Sequence, residues 1–282
     1  MAWTRSHIVG LRLAGAGAAA IALHMSNTSS NASEQPRSFV EPKDERVVKR
    51  VIFVRHGQGY HNANADGLSI FDPSLTERGV AEAQSVFTKD LATFQPQVAF
   101  VSPLWRTLQT CTHAFFARAD AYTCPIYAME DAREHNNLNA CNHRRAIGDE
   151  HRRTFPEVSF ASVDTAGPPP ASEWNTSGYK ASVGMPRERA ARALATLAAR
   201  PESQVVVFTH GTFVRCVIAE VLQLSPHFFG ECPSTGTPTE LLLIETPSGA
   251  RYWEIAKGAA VVHSIAAGAS TQRAPLTDRA VH

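Results

Sequence analysis

VIFVRHGQGYHN, residues 51–62, decides the fold. Val51 to Val54 form an unbroken apolar run, mostly β-branched or aromatic, as in a strand buried on both faces of a sheet. The run stops on Arg55, His56 and Gly57: a cation, an imidazole and a glycine. VVVFTHGTF, residues 205–213, repeats the plan, with a second buried-type strand that runs into His210-Gly211. Two strands of one kind, each ending on histidine and glycine, predict a sheet that delivers chemistry from its carboxyl edge.

The rest of the chain supplies the partners of these strands. The strand around the first motif extends over VVKRVIFV (47–54), and a loop rich in Gly, Asn, Asp and Pro follows over 57–73. Thr76 starts a helix in which Val80, Ala83, Gln84, Phe87 and Leu91 recur at helical spacing. VAFVS (98–102) is a second strand. Ser102-Pro103 predicts an N-cap with proline at the first helical position, before a stripe of Leu104, Leu108, Cys111 and Phe115. CPIYAM (124–129) is a third strand, and residues 131–160 are polar up to FPEVSF. A proline-rich loop, 167–178, leads to a helix opened by Pro186, with Ala190, Ala193, Leu194 and Leu197 inward. A helix over Thr212–Leu222 follows the second motif. LLLIE (241–245) and YWEI (252–255) form a hairpin around Pro247-Ser248-Gly249. Strands alternating with helices predict a three-layer α/β/α fold with a mostly parallel central sheet.

At 282 residues, 44% hydrophobic and 19% charged, the chain can bury a sizeable core. A formal net charge of +1 argues against a general nucleic-acid binder. The five cysteines contain no C-x-x-C pair, so neither zinc nor a redox pair is signalled, and they read as reduced thiols. Residues 1–25 are cationic, Ser-containing and free of acid, around the apolar run LAGAGAAAIAL (13–23). They read as a mitochondrial or plastid transit peptide or as a disordered tail of a cytoplasmic protein. Secretion is the third reading, without an A-x-A site where cleavage would need it. Membrane contact is expected only if this segment is an anchor. Residues 26–46 read as a linker, 47–257 as the catalytic domain and 258–282 as a small-residue tail.

In open α/β sheets, ligands sit beyond the carboxyl ends of the strands. Chain order brings Arg55 and His56, Arg106, Glu134 and His210 to that rim from four separate segments. Such a set suits phosphoryl transfer, in which catalysis is positioning plus electrostatic stabilisation of three charged oxygens. Guanidiniums offer bidentate donors that never lose their charge. They can stand where a metal would otherwise act, and no metal motif and no cofactor are signalled. A neutral imidazole is the nucleophile, and neighbouring cations favour that neutral form. Gly57 and Gly211 would let backbone N–H groups come close to the anion.

VRHGQGYHN, LTERG, SPLWRTLQT, Arg133-Glu134 and THG, in that order, resemble the histidine phosphatase superfamily, with its phosphoglycerate-mutase-like fold. The resemblance covers roughly residues 47–256. It implies that His56 attacks phosphorus and that Arg55, Arg106 and His210 bind phosphate, with Gly211 beside them and Asn62 as a helper. It implies that Glu134 protonates the leaving oxygen and later activates water. CNHRRAIGDEHRRTFPEVSF (141–160) is similar to a fungal, protist and plant branch, which makes Arg144 and Arg145, with Tyr60, candidates for substrate contact. Metabolic mutases carry a Glu-Arg-His-Tyr-Gly type sequence where Glu134 is followed here by His135-Asn136-Asn137. That departure favours a metal-independent phosphatase acting on a small phosphorylated metabolite or a phosphoprotein. A phosphoglycerate-type mutase is the alternative within the class, and a non-catalytic phospho-ligand binder the alternative outside it.

Overall fold

The computed structural model describes residues 44–120, 122–134, 139–163, 185–224 and 232–256. The strands are β1 (Arg46–Arg55), β2 (Val98–Val101), β3 (Ile126–Ala128), β4 (Val158–Ser159), β5 (Gln204–Thr209), β6 (Pro238–Glu245) and β7 (Arg251–Ile255). The α-helices among these residues are α1 (Tyr60–Ala63), α2 (Glu77–Ser85), α3 (Trp105–Phe116), α4 (Asp149–Thr154), α5 (Met185–Ala199) and α6 (Gly211–Val221). The strands make one sheet in the order β4-β3-β2-β5-β1-β6-β7. The five strands from β4 to β1 in that order pair in parallel. β6 and β7 close the other edge as the expected antiparallel hairpin.

The unbroken apolar run in β1 has a direct cause. Ile52 and Val54 pack into one core with Val86, Phe87, Leu108 and Phe208. Val51 and Phe53 point the other way, into a second core with Leu194, Leu197, Phe213 and Val217. All four are buried. α3 therefore covers one face of the sheet, and α5 and α6 cover the other. Each such side chain contributes about 1.5–3 kcal/mol by leaving water, so the strand ends are held by two packed layers rather than by loop contacts.

Parallel register then aligns those ends. Arg55 pairs with Thr209, and Val101 pairs with both Phe208 and Ala128. The ladder continues one residue past the strands. His56 N–H donates to Thr209 O (2.9 Å), Ser102 N–H to Phe208 O (2.9 Å) and Met129 N–H to Val101 O (2.8 Å). The residues after β1, β2, β3 and β5 thus begin along one rim.

The loop after β1 leaves and returns through a pinched neck. Thr76 N–H donates to Gln58 O (2.9 Å), Tyr60 N–H donates to Ser74 O (3.0 Å), and Gly59 bridges to Leu75. Gly57 and Gly79 meet there. A Cβ on Gly57 would lie 2.2 Å from the Gly79 carbonyl oxygen, and one on Gly79 would lie 2.0 Å from Gln58 O. The expected reason for Gly57 was approach to an anion; the structure shows close backbone packing against α2. Thr76 caps α2 as expected, its hydroxyl accepting from Gly79 N–H (3.1 Å).

The polar stretch 131–160 holds α4 and the edge strand β4, neither of which its polar composition announced. Ser102 is not a helix cap: α3 starts at Trp105, with Leu104 in the cap position. Residues 1–25, read as a transit peptide or a tail, lie outside the described residues, as do most of 26–46, the proline-rich stretch 167–178 and residues 258–282. No helix among the described residues is long and apolar enough to cross a membrane.

Candidate active site

His56 is buried, and its two ring nitrogens have different partners. Nδ1 lies 2.7 Å from the carbonyl oxygen of Gly57. A carbonyl only accepts, so Nδ1 carries the proton and Nε2 keeps its lone pair. Arg106 Nε donates to that lone pair at 3.3 Å. Burial, then Arg106, Arg55 and His61, hold the imidazole well below its ordinary pKa, so it stays neutral.

Arg106 enters from the first turn of α3 with no exposed surface. Its Nη1 donates to Cys141 O (2.7 Å) and its Nη2 to Asn142 Oδ1 (3.0 Å). Three acceptors therefore fix the plane of the guanidinium. Burial lowers its pKa, and Glu134 is the strongest charge acting in the opposite direction. That attraction brings the Glu134 carboxylate into the electrostatics of the site. The turn carrying Glu134 is clamped from two sides. Arg189 on α5 donates to the carbonyls of Arg133 and Glu134 (3.1 Å each), and the Thr209 hydroxyl donates to Ala132 O (2.6 Å).

Arg55 donates from Nη1 to Pro233 O (2.6 Å), while its Nε is buried without a partner. Gly211 makes room for that side chain: a Cβ there would sit 3.1 Å from Arg55 Nε. His210 is sealed beside His56, with ring centroids 5.1 Å apart. Its Nε2 lies 2.8 Å from Ser102 Oγ, which also accepts from Leu104 N–H at 3.4 Å. A hydroxyl has two lone pairs and one proton, so Ser102 can serve either tautomer of this ring. Nδ1 of His210 is buried with no protein partner. Burial, Arg106 and His56 lower the pKa of His210 well below the usual range.

The sequence-predicted set Arg55, His56, Arg106 and His210 converges as expected, with Glu134 close enough to act on Arg106. Asn62 Oδ1 accepts from Gly59 N–H (3.1 Å), which fixes the loop and leaves the amide Nδ2 as a donor. Arg144 needs correction as a substrate contact. It is buried, and its Nε donates to both carboxylate oxygens of Glu130 (3.1 and 3.3 Å). Arg145 is partly exposed, stacks 4.4 Å over the Trp105 ring and lies 3.8 Å from Asp72. Tyr60 is exposed on the loop. Sequence reasoning missed His61, Ser102, Asn142, Asp72 and Arg189. His61, Ser102 and Asn142 each lie inside a quoted motif, whereas Asp72 and Arg189 lie in none. Among the described residues, no group of three His, Cys, Asp or Glu side chains is placed to hold a metal ion.

Buried His56, His151 and His210, with half-buried His61, make stability depend on pH. The pKa values of His56, His61 and His210 are all lowered in the fold, that of His61 to about 3. Unfolded, each would titrate near 6.5. The unfolded chain therefore binds more protons below pH 6.5. Stability is complete above that value and is lost as pH falls toward the folded pKa values. The slope is about 1.4 kcal/mol per pH unit per histidine. The urea midpoint should drop between pH 7.5 and 5.0, and His210→Gln should flatten the drop by one group's share. A flat wild-type midpoint would mean that these rings take up protons without unfolding.

Comparison with known proteins places the chain among phosphoryl-handling enzymes. The family model of the histidine phosphatase superfamily (branch 1) matches residues 51–255. Phosphoglycerate mutase-like protein 1 of Arabidopsis thaliana is 26% identical over 205 aligned positions, spanning 59% of this chain and 69% of its own. A 2,3-bisphosphoglycerate-dependent phosphoglycerate mutase of Pasteurella multocida is 42% identical over 62 residues, 22% of this chain and 27% of its own. Among solved structures, phosphoserine phosphatase from Entamoeba histolytica with 3-phosphoglyceric acid is 19% identical at a TM-score of 0.46. That match covers 75% of this chain and 98% of the other.

Proposed function

The chain belongs to the histidine phosphatase superfamily, and within it we propose that it is a phosphomonoesterase working through a phosphohistidine on His56. One observation carries the reading: Nδ1 of His56 is tied to Gly57 O while the Nε2 lone pair faces Arg106. Among the side chains of the site, this pairs a neutral nucleophile with a fixed cation.

The reaction takes two displacements. Nε2 of His56 attacks the phosphorus of a monoester. The P–N bond forms as the P–O bond to the leaving group breaks, and Glu134, protonated, gives its proton to the departing oxygen. Glu134, now a carboxylate, takes a proton from water, whose oxygen attacks phosphorus. The P–N bond breaks, its electrons return to Nε2, and inorganic phosphate leaves. Arg55 Nε, a buried donor lacking a protein acceptor, is suited to a non-bridging oxygen, and the His210 ring stands beside His56. The substrate class is a small phosphorylated metabolite or a phosphoprotein. The domain responsible is proposed to span 47–257.

Rapid quench with a ³²P-labelled monoester in EDTA tests the scheme. An acid-labile, base-stable phosphoenzyme formed and hydrolysed without a bisphosphate primer is expected. A primer requirement would assign a mutase, and silence in EDTA would sink the metal-free mechanism. Glu134→Gln separates the proton donor from the rest of the site. It should slow an alkyl phosphate by about 10²–10⁴-fold and p-nitrophenyl phosphate far less, because p-nitrophenolate departs without an acid. Equal slowing of both would remove Glu134 from that role.

A further inference from the structure

His61 is unused in the scheme above, yet it stands inside the site. Its ring centroid lies 5.4 Å from that of His56, and Arg106 and Arg55 are its charged neighbours. It is near enough that a proton placed on it would lower the pKa of both His56 and His210. One edge of the ring is sealed. Nδ1 is buried without a hydrogen-bond partner. That edge presses against the neck of the loop: a Cβ on Gly59 would lie 2.7 Å from Nδ1 and 2.8 Å from Cε1. Nε2, on the other flank of Cε1, is not a buried atom lacking a partner.

The sealed edge decides the tautomer. A buried N–H with no acceptor is rarer and more costly than an under-used lone pair. With backbone at that edge and no room for a ligand, the proton belongs on Nε2. His61 then offers an Nε2–H donor in the site that holds the two guanidiniums. It adds no charge, which matters where two fixed cations already crowd two other imidazoles.

We propose that His61 is a third imidazole of the phosphate site, donating from Nε2–H to a non-bridging oxygen of the phosphoryl group as it moves to and from His56. The proposal deepens the phosphomonoesterase reading and rests on it. The lowered pKa, about 3, keeps the donor neutral across any practical assay pH. In the transition state the equatorial oxygens carry the spread charge, so a neutral donor there acts on kcat as well as on phosphate affinity.

Glutamine places an amide N–H near the position of His Nε2, whereas asparagine reaches only the Nδ1 position. His61→Asn and His61→Phe should each lower kcat/KM for p-nitrophenyl phosphate by about 10²-fold. Both should weaken inorganic phosphate binding, measured by calorimetry. His61→Gln should recover most of both losses. Should the phenylalanine variant not fold, the Asn and Gln pair decides alone. Equal losses for Asn and Gln, or no loss for Asn, would overturn the proposal and leave His61 a packing residue. Phosphate binding is measured again in a His56→Ala background. Dependence on His61 there, without any phosphoenzyme in wild type, would keep His61 as a phosphate ligand and sink the phosphohistidine reading by itself. Wild-type protein that neither binds phosphate nor turns over a monoester would remove both.

Discussion

His56→Ala should lower kcat for p-nitrophenyl phosphate by at least about 10⁴-fold and abolish the acid-labile phosphoenzyme. The size of the effect follows from what remains. Arg55, Arg106 and His210 still attract the phosphate, but no other group offers a lone pair where Nε2 stood. The neighbouring imidazoles cannot replace it. His210 is held through Nε2 by Ser102, and His61 has its free lone pair against Gly59. The fold should survive, because the bonds lost are the local one to Gly57 O and the one from Arg106 Nε, and Arg106 keeps Cys141 O and Asn142 Oδ1 as acceptors. Inorganic phosphate should still bind. A variant with more than a few per cent of wild-type turnover would show that water attacks phosphorus directly and that His56 only assists.

Arg106→Lys should lower kcat/KM by about 10³-fold or more, although the charge is kept. A guanidinium reaches His56 Nε2, Cys141 O and Asn142 Oδ1 at once because its donors are spread over a rigid plane. An ammonium is a point with a shorter reach, and it can satisfy one side of that triangle only. Burial adds a second loss. Lysine is more strongly hydrated than arginine, and here its amine would sit beside Arg55 and three imidazoles, so it would tend to shed its proton and the charge with it. Thermal unfolding should show destabilisation of roughly 1–3 kcal/mol from the acceptors left without donors. Activity within tenfold of wild type would mean that charge alone, without the planar fork, binds the phosphoryl group.

Much of this site was legible because its members follow strands. β1 and β5 announce themselves as unbroken apolar runs, and a residue just past such a run has only one edge of the sheet to occupy. His56 and His210 could be placed that way, and Arg106 by the helix that follows β2. The failures have a common cause. Ser102-Pro103 carries a strong local signal for a helix cap, but the hydroxyl's actual partner, His210, lies 108 residues further on and leaves no mark in the neighbouring sequence. Arg144 stood as a candidate substrate contact in an Arg-rich stretch. It is buried because Glu130, fourteen residues earlier, neutralises it, and one-dimensional charge patterns do not show such pairing. Gly57 was read as room for an anion, and the structure shows a second use of that room, against Gly79. The same absent Cβ serves close approach to an anion or to another backbone, and only the neighbour tells which.

The pinched neck between Gln58 and Thr76 bears on how such an enzyme could change its substrate. Hydrogen bonds across the neck and the Gly57–Gly79 contact lock the nucleophile to α2 before the chain departs and after it returns. Asp72 gives the returning arm a further anchor, its carboxylate accepting from Trp105 N–H (2.9 Å) and Arg145 N–H (3.1 Å). Between Asn64 and Phe71 only Gly67 is buried, and it packs on the backbone of His61, so that one contact has to be kept. Around it, exposed Leu68 and Phe71 form an outward face that can be exchanged while the reacting atoms keep their positions. New specificity can arise there by trial without each trial endangering the chemistry.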